Sequence, residues 1–194
     1  MKIILVGKED KSFYGKQAAK EAIQEFFREN EQLELALDEI EITKESSGRP
    51  TFVLKNHPEI DTSAFCLSIS HTDQFVVVEI IKGGLVGVDI ETIRKFPIPV
   101  YENFLTPSEK KWIESMPEND RDTYTTLVWS FKESYLKALG VGLRVHPSKV
   151  ELKHLENGNF KLQTEKENVG INLWYKIDKE NNVVITKVTL DYLR

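Results

Sequence analysis

Apolar positions along the chain change period from two to that of a helix and back again, and each change marks an element. Residues 3–6 form a short apolar run that reads as an opening strand. Ala18, Ala19, Ala22, Ile23, Phe26 and Phe27 recur at helical spacing and make one apolar stripe. Leu33, Leu35 and Leu37 then alternate with polar residues, and Ile40 and Ile42 resume the period of two after a slip of register. That pattern predicts strand, with a bulge or a break at the slip. Ser46-Ser47-Gly48-Arg49-Pro50 is turn chemistry, and strands are expected at 51–54, 65–70 and 75–81. Lys82-Gly83-Gly84 joins two β-like runs, which predicts a hairpin between 75–81 and 85–90.

The remainder follows a similar order. A strand at 85–91 leads into a loop rich in proline and basic residues at 94–99. Thr106-Pro107-Ser108-Glu109 has the form of a capping box with proline in the first turn, so a helix starts there. A longer helix is expected from about residue 120 to Leu139, stopped by Gly140. Asn157-Gly158 signals a hairpin, and strands close the chain near 173–177 and 183–190. The expected fold is α+β, with two pseudo-symmetric halves, 1–84 and 85–194, that share one interface. No residue-by-residue repeat supports this symmetry; it rests on the order of elements.

Composition narrows the classes. A chain of 194 residues with 40% hydrophobic and 29% charged residues can bury a core without disulfides or structural metals. Cys66 is the single cysteine, which excludes an internal disulfide and a multi-cysteine metal site. It lies in an alternating apolar stretch, so a buried, inert thiol and a reducing cytoplasm are expected. No run is long enough to span a bilayer, and residues 1–10 lack a signal-peptide pattern, so no membrane partner is expected. A net charge of −5 argues against general nucleic-acid binding, although local basic clusters can still hold a small polyanion.

Three segments carry candidate chemistry. In Gly87-Val88-Asp89-Ile90-Glu91, strand geometry projects Asp89 and Glu91 to one side, where a cation would offset their repulsion. The same pattern also describes a strand end with two solvated acids. Within 129–138, Glu133 and Lys137 share a helix face with Trp129 one turn earlier, and Lys132 lies next to them in an apolar stretch. An ordinary ion pair beside a core tryptophan has this form too. In Ser68-Ile69-Ser70-His71, the imidazole could bind a phosphate oxygen or be a satisfied polar group. Together the segments point to a hard-cation and phosphate site, with Asp89, Glu91 and Glu133 as oxygen ligands and Lys132, Lys137 and His71 for phosphate. No Walker-type glycine loop is present.

The two segments around Asp89 and Glu133 resemble the paired signature of the 4′-phosphopantetheinyl transferases. Gly48-Arg49-Pro50, Ser68-Ile69-Ser70-His71 and Asn103-Phe104-Leu105-Thr106-Pro107-Ser108-Glu109 resemble further motifs of the surfactin-synthetase-activating (Sfp-like) branch. The resemblance spans roughly residues 48–143 and holds its segments in order. It implies two α+β halves in one chain with the active site between them, and a monomer rather than the trimer of the shorter branch. It implies transfer of 4′-phosphopantetheine from coenzyme A to a serine of an acyl or peptidyl carrier protein, with release of 3′,5′-ADP. By the same resemblance Asp89, Glu91 and Glu133 bind Mg²⁺ (Mn²⁺ is the alternative); for such a transfer Glu133, Lys137 and Glu91 are the expected catalytic residues, the serine proton going to Glu133 or to a water held near Glu91. Lys132, Lys137, His71 and Arg49 contact coenzyme A, and Lys8, Lys11, Lys16 and Lys44 are candidates for its 3′-phosphate. Carrier proteins of this class present an acidic helix, for which Arg94-Lys95-Phe96-Pro97 offers basic charge and an aromatic expected to be exposed; an ordinary connecting loop with solvated charges has the same form. A non-catalytic coenzyme A or carrier-binding homologue, a metal-dependent pyrophosphate hydrolase and a plain structural adaptor are the rival readings.

Overall fold

The computed structural model describes residues 1–5, 11–155, 158–164 and 169–192. Val6, Lys8 and Asn157 lie outside the described residues, as does the side chain of Lys11.

The chain opens with β1 (Lys2–Leu5) and α1 (Lys11–Phe26), followed by β2 (Ile40–Lys44), β3 (Pro50–Leu54), β4 (Phe65–His71) and β5 (Phe75–Lys82). It continues with β6 (Leu85–Thr92), α2 (Ile98–Phe104), α3 (Pro107–Glu114) and α4 (Glu118–Leu139). Strands β7 (Glu151–His154), β8 (Phe160–Gln163), β9 (Val169–Asp178) and β10 (Val183–Tyr192) complete it. The architecture is α+β, and all strand pairs are antiparallel.

Sheet topology repeats. One three-stranded sheet has the order β1-β5-β4, the other β6-β10-β9. In each, the first strand of the set pairs with the last, and the last with the one before it. The helical stripe of α1 delivers Ala18, Ala19, Ala22 and Ile23 to a core with Val76, Val78 and Ile80 of β5. Leu127, Val128, Phe131, Tyr135, Leu136 and Ala138 of α4 pack with Val184, Val188 and Leu190 of β10 in the same way.

Two expectations are corrected. β5 and β6 do not form a hairpin: β5 pairs with β1 and β4, and β6 pairs with β10. The turn at Lys82-Gly83-Gly84 instead carries the chain from one sheet to the other, and apolar Val77, Val88, Ile90, Val183 and Ile185 pack between them. β4 and β6 meet through side chains. Val88 N donates to Ser68 Oγ at 3.0 Å, and Val86 N to Cys66 Sγ at 3.3 Å. Residues 33–37 are not strand either. Their carbonyls are taken by α1, Leu35 O by Gln24 Nε2 at 2.6 Å and Leu37 O by Lys20 Nζ at 3.0 Å. With those acceptors used, the alternation buries Leu35 without a ladder.

The capping box at Thr106 and Glu109 is formed, and α4 ends at Gly140, whose φ of 68° is left-handed. Helix α2 begins at Ile98, within the last two residues of the loop expected at 94–99; Pro97 precedes the helix and Pro99 occupies its first turn, where no amide hydrogen is needed.

Candidate active site

Helix α4 lies directly on β6. A Cβ added at Gly87 would stand 1.9 Å from Ser134 O and 2.6 Å from Ala138 N, so only glycine permits the contact. The period of two then carries Asp89 and Glu91 along the same face of the strand, toward the helix. On the helix, Glu133 and Lys137 lie one turn apart and share a face, each immediately preceding one of the contacting residues. Buried hydroxyls fix the rotation of α4: Ser134 Oγ and Ser130 Oγ lie 2.7 and 2.9 Å from Thr186 Oγ1 of β10.

The acids converge. Asp89 is 3% exposed. Its Oδ1 accepts from Lys137 Nζ at 2.6 Å and from Ser70 Oγ at 2.8 Å. Glu91 Oε1 accepts from Trp129 Nε1 at 2.9 Å. Burial pushes the Glu91 carboxyl above its ordinary range, and the Asp89 charge adds to this; Trp129, Arg94 and Lys137 pull the other way. Burial likewise raises Glu133, opposed by Lys137 and reinforced by Asp89 and Glu91. These are acids held close enough to feel one another in a poorly hydrated place.

Asp89 Oδ2 and Glu133 Oε1 are buried without a hydrogen-bond partner among the described residues. Such oxygens are rare, and hard oxygen donors in an acidic cluster suit a hard divalent cation. Among the described residues no three acid, imidazole or thiol groups are gathered at metal-binding closeness. The cation in contact with Asp89 is the Lys137 ammonium. The donor set fits Mg²⁺ in its chemistry.

A groove runs from this cluster toward the first half. One cavity of about 240 Å³ is lined by Arg49, Ser68, Lys137 and Gly140, among others. A second, of about 370 Å³, is lined by Lys16, Thr43, Lys44 and His71 and shares Gly48, Pro50 and Ile69 with the first. Lys16, Lys44 and His71 are exposed. Arg49 Nη2 donates to Ala138 O at 2.6 Å, while its Nε is buried and unpartnered among the described residues.

Lys132 does not join this group. It is 0% exposed, and its ammonium donates to Glu109 Oε2 at 2.7 Å and to Phe104 O at 2.6 Å. Facing the interior beneath α3, it cannot reach a phosphate in the groove, and its expected contact with coenzyme A is withdrawn. Phe96 is also corrected. It is 7% exposed, packs on Phe104 at 5.2 Å and lies under the Arg94 guanidinium at 5.0 Å. Arg94 and Lys95 themselves are exposed. Two participants went unassigned from sequence. Ser70 had a legible signal, since it alternates with Cys66 and Ser68 on one side of β4. Glu109 was read only as a cap, although its carboxylate is a buried hub that also accepts from Leu152 N at 2.7 Å.

The family model described as the 4′-phosphopantetheinyl transferase superfamily matches residues 85–188, more than half of the chain. The chain belongs to this superfamily. Similar proteins bear that name. One is the 4′-phosphopantetheinyl transferase gsp of Aneurinibacillus migulanus, 37% identical over 40% of this chain and 32% of its own length. Another is the 4′-phosphopantetheinyl transferase psf-1 of Bacillus pumilus, 27% identical over 69% of this chain and 54% of its own. The chain spans about half the length, or less, of these curated relatives. Among solved structures, a holo-(acyl-carrier-protein) synthase from Bacillus anthracis, in complex with CoA (3′,5′-ADP), superposes with a TM-score of 0.50. It is 22% identical and covers 55% of this chain and 94% of its own, which supports the fold. The superfamily expected from the motifs is the one found, and its matched region contains Asp89, Glu91, Glu133 and Lys137.

Proposed function

We propose that the chain transfers 4′-phosphopantetheine from coenzyme A to a serine of an acyl or peptidyl carrier protein and releases 3′,5′-ADP. The observation that carries this reading is the pairing of two buried carboxylate oxygens without a partner among the described residues, Asp89 Oδ2 and Glu133 Oε1, with a basic groove that shares Lys137. Acids for a hard cation beside cations for phosphate are what a pyrophosphate substrate requires. Asp89, Glu91 and Glu133 would hold Mg²⁺, or Mn²⁺ in its place, which when bound neutralises charge on the pyrophosphate oxygens.

The chain's own residues supply the rest. Lys137 donates to a pyrophosphate oxygen, and Arg49, whose Nε has no partner among the described residues, to the next one along the groove. Lys16, Lys44 and His71 take the 3′-phosphate end, which the second cavity supports. The serine oxygen bonds to the β-phosphorus as the bond to 3′,5′-ADP breaks. The serine proton passes to Glu133 or to a water held near Glu91. We assign the halves to 1–84 and 85–194, because no strand ladder of the described residues crosses that boundary. A monomer acting in the cytoplasm fits a seam already closed within one chain and a single buried thiol.

The deciding experiment is intact-protein mass spectrometry of apo-carrier protein incubated with this chain and coenzyme A, with Mg²⁺ or with chelator. Metal-dependent gain of one phosphopantetheine group is expected. No gain on either fatty-acid or peptidyl carriers, with the enzyme folded, rejects the reading. Release of 3′,5′-ADP without carrier would identify a hydrolase instead.

A further inference from the structure

Ser70 has no part in the reaction as drawn above, yet it touches both Asp89 and Lys137. Ser70 is 7% exposed, and its hydroxyl donates to Asp89 Oδ1 at 2.8 Å and accepts from Lys137 Nζ at 2.9 Å. Lys137 Nζ reaches the same Oδ1 at 2.6 Å. One oxygen of Asp89 therefore takes both donors, and the other, Oδ2, takes none among the described residues. Ser70 stands on β4 and the other two groups on β6 and α4, so the triad also bridges the two sheets.

We propose that Ser70 is a positioning residue that parks Lys137 on Asp89 as a built-in counter-ion, to be displaced jointly by a divalent cation and the phosphates of the substrate. The identity of those phosphates rests on the transferase reading. Asp89 is buried and Glu91 and Glu133 are partly buried; the three acids repel one another, and an ammonium in contact with one of them offsets that repulsion. A second cation entering the cluster meets the ammonium at short range, so the ion alone binds weakly. Phosphate oxygens in the groove offer Lys137 another partner. Its side chain is 28% exposed and lines the groove, so it has a path off Asp89, whereas Asp89 is enclosed. When Lys137 turns to phosphate, Asp89 Oδ1 is released from it and the cluster regains its full negative charge. Cation and polyanion each raise the affinity for the other, as linkage requires. Ser70 sets the resting position and keeps the open oxygen of Asp89 on the side away from both donors.

The test is Mn²⁺ binding, read from the electron paramagnetic resonance signal of the free ion, on the intact chain with and without coenzyme A. Without coenzyme A, Lys137→Met should bind Mn²⁺ roughly tenfold more tightly than wild type, the direction expected when a contacting cation is removed. Ser70→Ala should move the same way by a smaller factor, and Ser70→Thr should restore the wild-type value. Arg94→Gln removes a charge that acts on Glu91 only through space, and it measures the general electrostatic gain, which should be smaller. Mn²⁺ affinity unchanged or weaker in Lys137→Met overturns the proposal, as does an equal gain in Arg94→Gln. If Lys137→Met fails to fold, wild-type Mn²⁺ affinity in Ser70→Ala overturns it instead. A wild type that modifies carrier protein while these variants fail the test sinks the counter-ion alone. A wild type that neither modifies carrier nor binds Mn²⁺ with coenzyme A sinks both.

Discussion

An ammonium removed from water is stable where a carboxylate and further acceptors replace its hydration. Lys132 has Glu109 Oε2 and Phe104 O, and Glu109 in turn holds Thr106 N and Leu152 N. One buried pair thus ties together the end of α2, the cap of α3, the middle of α4 and β7. Burial pulls the Lys132 ammonium below its ordinary range, and Glu109 opposes this. Removing one partner leaves the other charged and buried, so Glu109→Ala should destabilise the fold by about 3–5 kcal/mol in urea titration. Lys132→Met combined with Glu109→Leu should cost much less, because no lone charge remains. Asp178 differs, being held by solvent-side contacts in the turn before β10. Asn181 donates to it from backbone and side chain, Lys176 adds a third contact, and its pKa falls from 3.8 to about 2. A folded value below the unfolded one contributes stability that is complete above the unfolded value and is lost as pH falls through the folded one. Melting temperature should therefore decline between about pH 4 and pH 2 by more in wild type than in Asp178→Asn.

At the scale of elements, the decisive contact is α4 on β6. Gly87→Ala places a methyl group 1.9 Å from Ser134 O, a backbone atom that cannot rotate away. The helix must lift, and Glu133 and Lys137 lift with it. A lowered melting temperature together with loss of turnover is expected; a variant with normal kinetics would show that the helix position does not set the site. This contact explains what was legible in the sequence. Spacing placed Asp89 with Glu91 and Glu133 with Lys137, because a strand and a helix each fix which residues share a face. It could not show that Lys132, adjacent to Glu133, points the opposite way into the core, since that depends on Glu109 arriving from α3. Element types were legible where both pattern and pairing agreed, as in α4 and β10. They were not where a competitor took the backbone: side chains of α1 hold the carbonyls of Leu35 and Leu37, and the run of 33–37 never pairs. A turn sequence such as Lys82-Gly83-Gly84 reports a reversal, not which strands it will leave bonded.

At the scale of the whole molecule, a net charge of −5 opposes an acidic partner at long range, so an acidic carrier needs a local basic surface. Arg94 and Lys95 form one at the end of β6, a few residues past Glu91 and on the path from the acid cluster to α2. Phe96 does not contribute an exposed ring there, but the adjoining helix does contribute apolar surface: Ile98 is 76% exposed and Val100 42%. Under the proposed transfer, a basic rim beside exposed aliphatic residues would suit an acidic carrier helix. Rim charges act mainly on the rate of encounter, and salt screens them. Reversing both, Arg94→Glu with Lys95→Glu, should raise KM for carrier protein by about tenfold at low salt. The difference should shrink as salt rises, with KM for coenzyme A unchanged. Ile98→Asp should raise the carrier KM at every salt concentration, because it removes contact rather than steering. Parallel changes in both Michaelis constants, or a charge effect indifferent to salt, would place the carrier elsewhere on the molecule.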